Sequence, residues 1–192
     1  KKFKMKKRIA FIGAILSFIP LVQNLLIKTG IALIATGLVN SLPEKIYAEN
    51  SYYYFTSALT KYDKGDYYGA ISDFNKAIEI DSKNAKTYFN RALAKTKIED
   101  NYGAILDYDQ AISLNSNYWE AYYNRANRKR TLDDHYGAIA DYYTTIKINP
   151  KYAEAYINLS VSKEKLGYIN GACEDAKKGI SLIINNDNLK NE

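Results

Sequence analysis

The arrangement of apolar and polar positions over residues 51–186 resets every 34 residues. Gly69-Ala70-Ile71 returns as Gly103-Ala104-Ile105, as Gly137-Ala138-Ile139 and as Gly171-Ala172-Cys173. Within each period the apolar residues recur three and four apart in two short stretches, the spacing of one helix face. This predicts first helices over 52–63, 85–97, 119–131 and 153–165, and second helices over 67–80, 101–114, 135–148 and 169–184. Asp66, Asp100 and Asp134 precede second helices, where a carboxylate can accept from free backbone N–H groups. Polar loops at Asp81-Ser82-Lys83-Asn84, Asn115-Ser116-Asn117 and Asn149-Pro150-Lys151 separate the units. The expected architecture is all-α, with helix–turn–helix units at 51–84, 85–118, 119–152 and 153–186 and a short tail at 187–192. Stacked helix pairs of this kind present a surface rather than a catalytic cavity.

Side-chain size carries the packing. Ala58, Ala92, Ala126 and Ser160 recur in the first helices, and Ala70, Ala104, Ala138 and Ala172 in the second, letting paired helices approach closely. Tyr54, Tyr88, Tyr122 and Tyr156, with Phe74, Tyr108 and Tyr142, are expected to fill the space between successive pairs. Ile78, Ile112, Ile146 and Ile180 complete the second-helix stripe. Most of the aromatic content is thereby read as core.

With its small and large places in this order, the chain resembles the tetratricopeptide repeat family over 51–186, in phrases such as Tyr122-Tyr123-Asn124-Arg125-Ala126 and Gly171-Ala172-Cys173-Glu174-Asp175. The resemblance implies an α-solenoid of four such repeats, a right-handed superhelix whose concave face, lined mainly by first helices, holds a partner peptide. Ser57 departs from Arg91 and Arg125, and Ala176 and Gly179 depart from the large and small core residues, so the end of the fourth unit is expected to be looser. The family's clamp for a chaperone C-terminal carboxylate is not expected, because its places hold Phe55 and Leu59, or Phe89 and Leu93, followed by Glu120 and Asn124 or Glu154 and Asn158.

Residues 1–48 read as a basic and hydrophobic leader helix. Lys1, Lys2, Lys4, Lys6, Lys7 and Arg8 precede an apolar run from Ile9, and a second run spans Gly30 to Val39. One reading is an export signal cleaved after Ala48; the other is a retained anchor at Ile9–Ile27, whose 19 residues just span a bilayer. Both place the repeats at or across a membrane; a cytoplasmic domain with an amphipathic tail is the alternative.

Charge sharpens this division. The net charge of +6 lies wholly in the first fifty residues, where eight basic side chains face only Glu44 and Glu49. The repeats are neutral overall and lack the basic footprint of a nucleic-acid binder, so no nucleic-acid partner is expected. One His and one Cys exclude an internal disulfide and give too few ligands for a Cys/His metal site. His135 is read as an inter-helix turn residue and Cys173, at the place of Ile71, Ile105 and Ile139, as a core thiol. Asn158-Leu159-Ser160 matches a glycosylation sequon inside a predicted helix and is uninformative there. No catalytic constellation, cofactor or metal is expected.

The candidate site is therefore a partner groove. Phe55, Phe89, Tyr123 and Ile157 form its apolar row, with Leu93 beside them. Asn90, Asn124 and Asn158 form a polar row, with Asn127 on the same helix as Asn124. An amide ladder can pair with the peptide groups of an extended segment, as in some superhelical members of the family; alternatively, these amides bond to neighbouring helix backbones and stiffen the array. Inter-unit ion pairs Asp73–Arg91 and Asp107–Arg125 are expected, leaving Asp141 opposite Leu159 without a partner. Ile180, Leu182, Ile183 and Ile184 cannot all turn inward, which marks the C-terminal end as a candidate for self-association. These features describe a non-enzymatic scaffold for a protein or peptide ligand, or else a regulatory subunit whose catalytic chain is separate.

Overall fold

A computed structural model describes residues 42–188, with side chains from 50 to 185. The described residues form eight α-helices in four antiparallel pairs: α1 Leu42–Asp63 with α2 Tyr67–Ile80, α3 Ala85–Lys97 with α4 Asn101–Leu114, α5 Trp119–Thr131 with α6 His135–Ile148, and α7 Ala153–Lys165 with α8 Ile169–Asn188. Most helices match their predicted limits to the residue. Two run longer than predicted. The first begins at Leu42, with Pro43 in its opening turn, where a missing N–H costs nothing. Ala48–Glu49, the cleavage point of the export-signal reading, therefore lies inside a helix. The rest of the leader lies outside the described residues, and among the described ones no helix is long and apolar enough to cross a membrane.

Local chemistry sets each hairpin. Asp66, Asp100 and Asp134 accept from the N–H of Gly69, Gly103 and Gly137 at 2.9, 2.9 and 2.8 Å. A Cβ on any of these glycines would land on the capping carboxylate, so the glycine and the cap belong together. The turn before each cap passes through a left-handed residue: Gly65, Glu99, Asp133 and Gly167, at φ 80°, 62°, 61° and 82°. Lys61, Lys95, Lys129 and Lys163 each offer a carbonyl that closes this turn. His135 opens α6 directly, so it stands at the edge of the turn it was expected to occupy.

The small residues lie where size required them. Ala58, Ala92, Ala126, Ala70, Ala104 and Ala138 are inaccessible, and Phe74, Tyr108 and Tyr142 fill the core beside them. The reading of most aromatics as core needs correction, because Tyr52, Tyr53, Tyr68, Tyr102, Tyr136, Tyr143 and Tyr168 are exposed. Tyr54, Tyr88 and Tyr122 are half-buried beneath the cations of Lys76, Arg91 and Arg125. Cys173 is exposed, not buried. Its isoleucine counterparts in the inner units are partly covered, whereas α8 is the last described element and has no next pair against it.

The ion pairs run within units, contrary to the expected inter-unit direction. Arg91 reaches Asp107 at 2.5 Å and Arg125 reaches Asp141 at 2.6 Å, each pairing the two helices of one unit. Asp141 is thus not orphaned, and Asp73 is held by Lys61 at 2.6 Å and by the Ser57 hydroxyl, also at 2.6 Å. Lys95, Lys129 and Lys163 repeat the Lys61 contact on Asp107, Asp141 and Asp175, at 2.8, 2.9 and 2.6 Å. The remaining guanidinium nitrogens make the inter-unit link, from Arg91 to Asn75 at 2.7 Å and from Arg125 to Asp109 at 2.5 Å. Between the third and fourth units buried Leu159 packs near Tyr142 instead, and Lys163 sits 5.1 Å over the Tyr143 ring.

Arg125→Met is expected to destabilise the protein by about 2–3 kcal/mol, below the usual cost of opening a buried pair because Lys129 still compensates Asp141. Urea unfolding measures this, and a loss below about 0.5 kcal/mol would contradict the assigned role. A second expectation concerns pH. Burial works against the charge on Asp73, but Lys61, Ser57 and Lys76 outweigh it and hold the carboxyl below its ordinary range. A carboxylate with a lowered folded-state pKa adds stability above its unfolded value, near 4, and loses it as pH falls through the folded value. Asp73→Asn should therefore cost stability at pH ~7 and almost none at pH ~2; equal cost at both would refute the linkage.

Candidate partner groove

The groove residues share one stripe of the first helices. Residues three, four and seven apart on a helix face the same way, so Phe89, Leu93 and Thr96 align on α3, and Tyr123, Asn127 and Arg130 on α5. Phe55, Phe89 and Tyr123 are half-buried. Each tilts onto the buried aromatic of its own second helix: Phe55 on Phe74, Phe89 on Tyr108 and Tyr123 on Tyr142, with ring centres 5.9, 5.8 and 6.0 Å apart. The N-cap residue of the following first helix supplies a second neighbour, Tyr118 stacked on Phe89 and Tyr152 edge-on to Tyr123, both at 4.8 Å. Phe89 and Tyr123 are thus fixed from two sides and Phe55 from one, each remaining partly accessible. In the fourth unit the pair becomes Ile157 and Ala176, and Ile157 occupies the space over Gly179 that a Cβ would need. Leu93 packs at the edge of the core cluster around Tyr108.

The polar row is less uniform than its sequence. Asn90 Nδ2 donates to the Lys86 carbonyl and Asn124 Nδ2 to the Glu120 carbonyl, both at 2.8 Å. Thr56 likewise bonds within its own helix. Each of these bonds stays within one helix, so none reaches the backbone of a neighbouring helix. Asn158 instead crosses between units, donating to the Tyr123 hydroxyl at 2.9 Å and to Asn127 Oδ1 at 3.2 Å. Asn127 Oδ1 also accepts from the Tyr142 hydroxyl at 2.6 Å. The structure thus brings Tyr123, Asn127 and Asn158 into one network and leaves Asn90 and Asn124 outside it.

Burial pushes the Tyr108 and Tyr142 hydroxyls up to about 12, opposed by hydrogen bonding from Thr96 at the first and from Arg130 at the second. Thr96 and Arg130 serve these phenols from equivalent places on α3 and α5. The sequence reading missed this pair. It also missed the Lys61, Lys95, Lys129 and Lys163 row, although a cation recurring every 34 residues on the helix facing a recurring Asp was there to be read. At the other end of the first helices, an open cleft of about 560 Å³ lies between the loops, lined by Lys83, Lys86, Asn115, Trp119 and Glu120 among others. No group of three potential metal-ligating side chains gathers among the described residues.

Comparison with known proteins agrees with the repeat assignment. A TPR repeat profile matches residues 58–98 and a tetratricopeptide repeat profile matches 85–118. No curated protein matches the sequence. Among solved structures, one described as the crystal structure of MamA is 25% identical, with a TM-score of 0.71, covering 76% of this chain and 89% of that one. A second MamA structure is 28% identical at a TM-score of 0.67, covering 72% and 75%. The first TPR of Spaghetti (RPAP3), solved with the HSP90 peptide SRMEEVD, is 24% identical at a TM-score of 0.61, covering 62% of this chain and 94% of its own. Residues 58–118 thus carry tetratricopeptide repeats, within an all-α solenoid of the same kind.

Asn158→Ala should remove the bridge between the third and fourth units, at a cost of about 1 kcal/mol. Asn90→Ala, which breaks only a bond within its own helix, should change stability by less than about 0.5 kcal/mol. Hydrogen exchange checks both, with faster exchange in α7 and α8 expected for the first variant alone. The same response to both substitutions would contradict the division.

Proposed function

We propose that the chain is a non-catalytic protein-interaction scaffold that holds an extended segment of a partner against the concave, first-helix face of a right-handed superhelix. The observation that carries this is the row Phe55, Phe89 and Tyr123: half-buried rings, each fixed by a second-helix aromatic behind it. Apolar surface already held in place loses little conformational freedom when a partner covers it, which favours binding. The peptide complex of the RPAP3 repeats is a precedent for a segment bound by this fold. In this protein Phe, Leu, Glu and Asn side chains fill the places of a chaperone-tail clamp, which argues for a different ligand.

We further propose that residues 1–48 bring the repeats to or across a membrane, where the scaffold assembles or tethers a complex, and that the exposed Ile180, Ile183 and Ile184 on α8 contact a second copy. The leader composition supports the first of these and the unpaired apolar stripe the second.

A photoreactive residue in place of Tyr123, in the full-length protein in its source cells, should cross-link a partner that the same residue at exposed Tyr102 does not. Phe89→Ala should weaken that labelling at least about fivefold, the loss expected for burying one aromatic less well. Equal labelling from both positions would overturn the groove. A reporter fused to residues 1–50 should fractionate with membranes or beyond them, and one left wholly soluble inside the cell would remove the leader's role. Light scattering that rises with concentration, and no longer does so when Ile183 and Ile184 are both changed to Asp, is the expected sign of the second contact.

A further inference from the structure

We infer that Asn170, followed by Gly171, is a self-modifying site in the first turn of α8, where the side-chain amide is lost to the neighbouring backbone nitrogen and the fourth unit loosens as a result. The inference is independent of the groove reading. Asn-Gly occurs once in the sequence, and Asn170 is exposed. In the three earlier units the third residue of the second helix is a glycine whose N–H is held by the capping carboxylate of Asp66, Asp100 or Asp134. Tyr168 takes that place before α8 and offers no carboxylate. Among the described residues the Gly171 N–H has no hydrogen-bond acceptor, and the first bond of the helix runs from the Ala172 N–H to the Tyr168 carbonyl, at 2.9 Å. Tyr168, Ile169 and Asn170 are all exposed.

An exposed first turn without a side-chain cap frays, because its N–H groups already face water. Opening matters here, since the helical backbone holds Asn170 Cγ away from the Gly171 nitrogen. Once the turn opens, the Gly171 N–H gives its proton to hydroxide and the nitrogen attacks Asn170 Cγ. No Cβ on residue 171 crowds the approach. The N–Cγ bond forms, the Cγ–Nδ2 bond breaks, and Nδ2 takes a proton from water and leaves as ammonia. Water then opens the resulting five-membered imide at either carbonyl, giving aspartate or isoaspartate with no oxidation or reduction. Lys163 stands beside this reaction, its Nζ 3.4 Å from the place of a Gly171 Cβ, and a cation there favours the anionic nitrogen. The same ammonium holds Asp175 at 2.6 Å and so joins α7 to α8. A new carboxylate at residue 170 competes for it, and the isoaspartate form adds a methylene to the backbone that a regular helical turn does not accommodate. Both products weaken the hold on α8.

Peptide mass mapping of the full-length protein during incubation in mild alkali tests this, with an isoaspartate-specific methyltransferase as a second readout. Asn170 should lose its amide well before Asn115, an exposed loop asparagine followed by serine. Gly171→Ala should slow the loss at least about tenfold, since a methyl group crowds the nucleophile. That Cβ would only touch the flexible end of Lys163, so the helix is kept. Tyr168→Ser, which restores a cap for the Gly171 N–H, should slow the loss about fivefold. In urea, where no turn exists, the Tyr168→Ser and unaltered proteins should react at the same rate. Equal loss at Asn170 and Asn115, no protection by Tyr168→Ser in the folded protein, or protection that persists in urea would overturn the site. The modified fraction, separated by its added charge, should exchange amide hydrogens faster in α8 than the unmodified protein, with α3 and α4 unchanged. Identical exchange in α8 would overturn the loosening.

Discussion

A carboxylate that is only 3–4% exposed, as Asp73, Asp107 and Asp141 are, stays charged in a folded protein only if cations reach it. Here the cations come from the first helix of the same unit, so each ion pair fixes one helix against the other at a set depth and rotation. In the inner units the Arg that grips the Asp also has a nitrogen to spare, and that nitrogen reaches Asn75 or Asp109 in the unit before. Helix pairing and unit stacking thus share a single guanidinium. At the ends the device simplifies. Asp73 relies on Ser57, Lys61 and Lys76, and Asp175 on Lys163, while Leu159 replaces the Arg outright with apolar contact.

This fixing determines what the candidate groove can be. With the second helices held, Phe74, Tyr108 and Tyr142 form a stationary wall, and the groove-facing rings lie against it. The amides that the sequence offers as a ladder are mostly turned onto their own helices, at Asn90 and Asn124. The surface left to a partner is accordingly a set of ring edges interrupted by a few polar side chains. Such a face provides affinity through apolar area and selectivity through the sparse polar points.

The helix pairs were legible because their determinants are local: a cap, a glycine that clears space for it, and an apolar spacing, all reset at one period. The direction of the ion pairs was not legible, for a reason built into repetition. Arg91 stands 18 residues after Asp73 and 16 before Asp107, and the 34-residue period makes both choices recur identically. Only the packing of side chains decides between them. Cys173 was misplaced because a size argument borrowed from inner units assumes a next unit to cover it. The contacts of Thr96 with Tyr108 and of Arg130 with Tyr142 were invisible for a different reason: they are set by three-dimensional neighbours and leave no mark on the helical spacing.

The fourth unit shows how an array can degrade in one interaction and hold through another. It lacks the aromatic pair of the earlier units, with Ala176 behind Ile157, and it lacks the bridging Arg. In exchange Leu159 is fully buried near Tyr142, Ile157 closes over Gly179, and Asn158 reaches back to Tyr123 and Asn127. The Leu159 and Asn158 contacts depend on residues already immobilised in the third unit. The last helix pair therefore draws its order from the pair before it, and the groove face passes from aromatic to aliphatic across that same junction. A partner segment lying along the row would meet rigid rings first and a softer apolar end last, with the Asn158 network marking the change.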